Sequence, residues 1–184
     1  DSIVLTDVGS TKGSVVACAN KILNQLARNF VPGHPIAGTE KSGAAAAFAE
    51  LFQQRRVILT PTENTDATAT KRVTALWQAC GAEVIEMSVA HHDEVLAATS
   101  HLPHMLAFSL VDTLSRLNDK QEIFKYAAGG FRDFTRIASS SPEMWQDVCL
   151  ANASALVKVI EKFQTDLSTL TQAIESGDKK TISN

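Results

Sequence analysis

The chain has 184 residues, 45% of them hydrophobic and 20% charged, with a net charge of −3. That is ordinary globular composition, long enough for one medium domain or two small ones sharing an interface. The basic residues are scattered, which excludes the stripe a nucleic-acid surface needs, and no apolar run reaches the ~18 residues needed to span a bilayer.

Aromatics are few (6%) and Ala and Leu are plentiful, which predicts a largely helical, aliphatic core. Cys18, Cys80 and Cys149 are odd in number and widely spaced, as expected of buried free thiols in a reduced, cytoplasmic setting. Ser2 to Thr6 reads as a buried strand that ends in Asp7 and a polar turn through Gly13. A natural protein seldom opens inside a buried strand, so the true N-terminus is expected upstream of residue 1. A helix is predicted over 14–28, with Ser14 as its N-cap. The stretch 31–43 holds Pro32, Gly33, Pro35, Gly38 and Gly43 and reads as a rigid, shaped loop.

The strand signal returns at 56–60, a helix is predicted over 66–80 with Gly81 as its stop, and a further strand over 82–87. Strand–helix–strand alternation implies right-handed crossovers and an at least partly parallel sheet. Beyond residue 88 the strand signal vanishes. The pattern predicts a long helix over 92–118 kinked at Pro103, a short one over 120–127 broken by Gly129-Gly130, and a long one over 141–176. Ser141 caps that last helix and Pro142 stands in its first turn. Residues 177–184 read as a frayed end or linker. The fold class is therefore α/β followed by all-α, and an apolar-rich helical half of this kind favours pairing with a second copy.

Histidine is the first candidate for chemistry. His34 lies in a Gly-His-Pro turn whose proline restricts its backbone, a placement suited to acid–base work or, more plainly, to a loop residue that caps a helix. His101 and His104, spaced i, i+3 around Pro103, fall on one helix face, with His91, His92 and Asp93 upstream. No zinc-ligand spacing is matched, so histidines facing an anionic substrate are the preferred reading and no metal is assigned. Gly129-Gly130-Phe131-Arg132-Asp133-Phe134-Thr135-Arg136 offers close backbone approach and two arginines suited to carboxylates; the bland reading pairs those arginines with Asp133 and Glu143. The segment 9–14 lacks Walker spacing, and no GxGxxG occurs in the chain.

Four segments occur here in a characteristic order: Asp7-Val8-Gly9-Ser10-Thr11-Lys12-Gly13, the run from Gly33 to Gly43 with His34 in it, Thr99-Ser100-His101-Leu102-Pro103-His104, and Gly129 through Ala138. Pro142-Glu143-Met144-Trp145 follows. Together they resemble the prephenate and arogenate (cyclohexadienyl) dehydrogenases of tyrosine biosynthesis, over nearly the whole chain.

The resemblance implies the C-terminal half of a Rossmann-like NAD(P)-binding domain over 1–88 and an all-helical substrate-binding and dimerisation domain over 89–184. The family's Gly-rich βαβ unit would precede residue 1. It implies oxidative decarboxylation of prephenate or arogenate with hydride transfer to NAD or NADP, in a homodimer without nucleic-acid or membrane partners. By the same resemblance His34 accepts the proton of the ring hydroxyl and Ser10 orients that hydroxyl. Arg136 binds a substrate carboxylate, His101 and His104 line the pocket, and Glu40 stands at its mouth. Gly129 and Trp145 are pocket residues near the dimer partner, and Asp7, Ser10 and Thr11 lie along the cofactor. Two competing readings remain: a β-hydroxyacid-type dehydrogenase, which would usually carry a catalytic lysine, and a catalytically silent dimerising or ligand-binding fragment.

Overall fold

The structure, a computed structural model, describes residues 3–38 and 43–183, with Gln25 and Leu26 described by backbone alone. Strand β1 (Leu5–Thr6) pairs in parallel with β2 (Phe30–Val31). A second sheet runs in the order β3 (Gly33–Pro35), β4 (Arg56–Leu59), β5 (Glu83–Glu86), with β3 antiparallel and β5 parallel to β4. Helix α1 (Gly13–Leu23) links β1 to β2, and α2 (Ala67–Ala79) links β4 to β5. After β5 the described chain is helical: α3 (Val89–Leu96), α4 (Leu102–Ser115), α5 (Lys120–Lys125), α6 (Gly129–Thr135), α7 (Pro142–Ala151), α8 (Ala153–Ser176) and α9 (Lys179–Ser183). The α/β-then-all-α class is thus the observed one.

The main buried cluster joins Val31, Val57, Leu59, Ala69, Val73, Trp77 and Ala82. It lies between the strands and α2, so the expected helical core is displaced to the strand half. Val57, Ile58 and Leu59 are all buried, because β4 is the middle strand of its sheet. Helix α2 is delimited from its own sequence. The Asp66 carboxylate accepts from the N–H groups of Thr68 and Ala69 at 2.8 and 3.0 Å, and Gly81, at φ +81°, lets the chain leave.

Several expectations are corrected. The described part of the first strand is only half shielded, with Ile3 72% exposed; Ser2 lies outside the described residues. Helix α1 ends at Leu23 and passes into a 3₁₀ segment over Asn24–Asn29. Ser14 is not its cap: the Ser14 hydroxyl pairs with that of Thr11 (3.2 Å), while a carboxylate from another element, Asp93, receives the first N–H groups. The described part of the shaped loop contains Val31, the last residue of β2, and all of β3.

The long helix around Pro103 carries a wide π turn over Ala97–His101, after which Pro103 falls in the first turn of α4. The wider turn absorbs the missing proline donor and its steric clash. Gly129-Gly130 open α6 and do not merely break a helix. The last helix is interrupted at Asn152, and the tail forms α9, where the Asp178 carboxylate accepts from the N–H groups of Lys180 and Thr181. Cys18 and Cys80 are exposed and Cys149 is half-buried, all three as free thiols.

Candidate active site

The turn after β1 is built around one buried ion pair. Lys12 is fully buried, its ammonium contacting the Asp7 carboxylate and donating to the Gly33 carbonyl at 2.6 Å. Asp7 also accepts from the N–H groups of Gly9 (2.9 Å) and Gly33 (3.0 Å). Burial lowers the Lys12 pKa, against the opposing pull of Asp7 and Asp93. Gly33 is required here: a Cβ would stand 3.0 Å from the Asp7 carbonyl oxygen and 3.2 Å from the Leu59 side chain. The loop and β3 are thereby clamped together, and His34 is the middle residue of β3, in register with Ile58.

His34 is buried but reaches the wall of a cleft of about 780 Å³. Ser10, His104, Arg136 and Trp145 line the same cleft, with Phe48 and Leu51 among its apolar walls. Four distant stretches of chain therefore converge: the turn after β1, β3, the start of α4, and the α6–α7 region. His104 stacks on Trp145 with ring centroids 3.7 Å apart. Its Nδ1 donates to the Ser100 carbonyl at 2.8 Å, which leaves Nε2 for the cleft.

The remaining candidates are placed differently. His101 is buried outside the cleft wall, where the Asn152 amide donates to its Nδ1 at 3.2 Å and its ring meets Trp145 edge-on. Asp7 belongs to the ion pair with Lys12, and Thr11 is buried beside Ser14. Gly129 is exposed at the head of α6, away from the cleft wall. Glu40 lies outside the described residues. Among the described residues no three His, Cys, Asp or Glu side chains gather into a set that could hold a metal ion.

The site's electrostatics favour neutral histidines. Burial, then the neighbouring His92, Lys12 and His101, lowers the His34 pKa to about 3, with Asp7 pulling the other way. Burial likewise lowers His101 to about 4. His104 is lowered by burial and by the Arg136 charge, against its bond to Ser100. A neutral imidazole is the form able to accept a proton.

The residues present suit a nicotinamide cofactor at one edge of the cleft. Ser10 lies in the turn beyond the C-terminal end of β1, the edge at which α/β sheets bind ligands. Four buried side-chain atoms have no hydrogen-bond partner among the described residues, Thr60 Oγ1, Trp77 Nε1, His101 Nε2 and Trp145 Nε1, and of these residues only Trp145 lines the cleft.

Sequence reasoning missed the interior side of the site. Lys12 sits in a motif that assigns it no role, His92 and Asp93 suggest a metal site by residue type alone, and Asn152 carries no local signal. The local signal for this side is the adjacent His92-Asp93 pair in the first half of α3.

Residues 1–86 match the family model of the prephenate dehydrogenase nucleotide-binding domain, and residues 88–184 match that of the prephenate dehydrogenase dimerization domain. The chain is 45% identical over 179 residues to a cyclohexadienyl dehydrogenase of Zymomonas mobilis, covering 96% of this chain and 60% of the relative. It is 40% identical over 181 residues to a prephenate dehydrogenase of Bacillus subtilis, covering 98% and 48%. The chain thus spans between 48% and 60% of the length of these two curated relatives. Among solved structures, prephenate dehydrogenase from Aquifex aeolicus in complex with hydroxyphenyl propionate and NAD+ superposes with a TM-score of 0.88 at 43% identity, over 98% of this chain and 63% of that one. Synechocystis arogenate dehydrogenase superposes with a TM-score of 0.80 at 28% identity, over 96% and 63%. With residues 1–86 and 88–184 matched by these two family models, the chain belongs to the prephenate dehydrogenase family.

Proposed function

We propose that this chain carries the substrate-binding and proton-accepting side of an oxidative decarboxylation of prephenate or arogenate, giving 4-hydroxyphenylpyruvate or tyrosine. The observation that carries the reading is the convergence of His34, Ser10, His104 and Arg136 on one cleft. Such a substrate has a ring hydroxyl and carboxylates. The hydroxyl requires a base, which His34 provides in its neutral form, and Ser10 orients both partners. Arg136 engages a carboxylate, and the stacked His104–Trp145 pair forms the wall against which the ring lies. NAD+ or NADP+, held along the turn containing Asp7, Ser10 and Thr11, supplies the hydride acceptor. The hydroxyl proton passes to His34, and departure of the ring carboxylate as CO2 makes the ring aromatic.

The active form is proposed to be a homodimer with domains divided near residue 88. Support comes from the apolar side chains that α8 leaves in solvent: Leu167, Leu170 and Ile174 are 49%, 38% and 62% exposed and recur at helical spacing.

The test is appearance of NADH or NADPH from prephenate and, separately, from arogenate, in the intact protein. His34→Asn is expected to lower kcat by roughly 10²- to 10⁴-fold. Arg136→Ala is expected chiefly to raise KM, by about 10- to 100-fold for a lost charge-assisted contact. No turnover with either substrate and either cofactor, or full activity in His34→Asn, overturns the reading.

A further inference from the structure

On its interior side His34 touches a second histidine. His34 Nδ1 lies 2.8 Å from His92 Nε2, and His92 Nδ1 lies 2.8 Å from Asp93 Oδ1. His92 is fully buried and the Asp93 side chain is 13% exposed, so water does not replace these contacts at the inner histidine. Asp93 is itself held on both oxygens: Oδ1 also accepts from the Lys12 N–H at 2.9 Å and Oδ2 from the Gly13 N–H at 2.8 Å. Gly13 makes that approach possible, since a Cβ there would stand 2.9 Å from Oδ2. Burial raises the Asp93 pKa, but the bonds from His92, Lys12 and Gly13 outweigh it and hold the group below the usual carboxylate value.

For a neutral inner imidazole, bonding logic fixes the protons along this row. An ionised carboxylate only accepts, so His92 must carry its proton on Nδ1. An imidazole protonated there presents a bare Nε2. The contact at 2.8 Å then requires a proton on His34 Nδ1, which leaves the lone pair of His34 on Nε2, the ring nitrogen remaining for the cleft.

We propose that His92 and Asp93 are positioning residues that fix His34 in the Nδ1–H tautomer, so that its Nε2 lone pair is presented to the substrate hydroxyl. This rests on the reading of His34 as the proton acceptor. When the hydroxyl O–H breaks, its proton forms the N–H bond at Nε2, and the imidazolium keeps its Nδ1–H bond to His92. No proton needs to travel to Asp93, whose negative charge lies on the far side of His92 from the new positive one. Other charged and titratable groups act on the same ring: Lys12 from the turn before α1 and His101 from the π turn disfavour its charge, and Asp7 from the end of β1 favours it. The ring is thus kept neutral until substrate arrives, and the inner pair decides which nitrogen is free.

The experiment is long-range ¹H–¹⁵N correlation of histidine-labelled protein at neutral pH, with the His34 signals identified by their loss in His34→Asn. The expected result is a protonated Nδ1 and a bare Nε2 on His34. A proton on Nε2 overturns the proposal and needs no variant at the inner pair to fold. His92→Phe removes the acceptor at similar shape, and is expected to release the tautomer of His34 and lower kcat by about 10- to 100-fold with little change in KM. His92→Gln, which keeps an acceptor oxygen, should recover part of that loss. Unchanged kcat and an unchanged His34 tautomer in His92→Phe would also overturn it. Full activity in His34→Asn would remove the base reading while leaving the tautomer measurement to stand by itself, so the two failures are distinguishable.

Discussion

At the scale of single residues, the buried histidines make stability fall in acid. His34 and His101 are buried neutral, with folded pKa values lowered to about 3 and about 4 from an ordinary 6.5. Between those limits the unfolded chain binds protons that the folded chain does not. Their stabilising effect is therefore intact above pH 6.5 and is lost as pH falls below it. The loss approaches ~1.4 kcal/mol per pH unit for each histidine while the unfolded form is charged and the folded form is not. Urea midpoints should fall steadily from pH 7 to pH 5. A flat midpoint across that range would mean that these rings are solvated. The same pKa places the acid limb of activity well below 6.5, so a loss of rate near pH 5 is expected to track unfolding before it tracks protonation of the base.

At the scale of elements, the junction between α7 and α8 and the π turn are one construction. Asn152 is 3% exposed, and its amide donates to the Asp93 carbonyl at 2.8 Å and to His101 Nδ1 at 3.2 Å. The π turn places His101 where it can receive that bond, while Ser100 and His104 stay on the cleft side. Asn152→Ala leaves buried polar groups unpaired and should cost about 1–3 kcal/mol, read as a lower denaturation midpoint at unchanged slope. Apolar periodicity continues across Asn152, so the sequence pattern runs one helix through it; the break is caused by contacts 51 and 59 residues away in the chain. By contrast α2 was legible to within a residue or two, because Asp66 and Gly81 act locally. The Ser14 cap failed for the reason that Asn152 did: its substitute, Asp93, comes from another element.

At the scale of the whole molecule, burial is uneven. The largest buried cluster belongs to the strands and α2, whereas α8 buries only Leu156 and Ala173 along 24 residues. Its exposed apolar side chains need cover, which a second copy of the chain would provide. If α8 pairs as proposed, Leu170→Asp combined with Ile174→Lys should halve the mass seen in light scattering coupled to gel filtration, and an unchanged mass would remove α8 from any interface. The division into a strand half and a helical half was readable from period alone, since alternation stops near residue 88. The cleft's members were readable only through ordered motifs, because no periodicity relates Ser10, His34, His104 and Arg136. Their interior support was not readable, since it consists of bonds between residues 58 and 81 positions apart.

Asp93 stands where the two halves meet, receiving N–H groups from the start of α1 on one side while its carbonyl takes the Asn152 amide on the other. Chimeras between members of this family are most naturally cut near residue 88, where the two domain models abut. Such a cut separates α1 from the carboxylate that caps it and His34 from its inner neighbour. Exchanging helical halves will therefore yield working enzymes only where the incoming half brings a carboxylate and an imidazole to these two positions, which makes residues 92 and 93, and not the seam itself, the true unit of interchange.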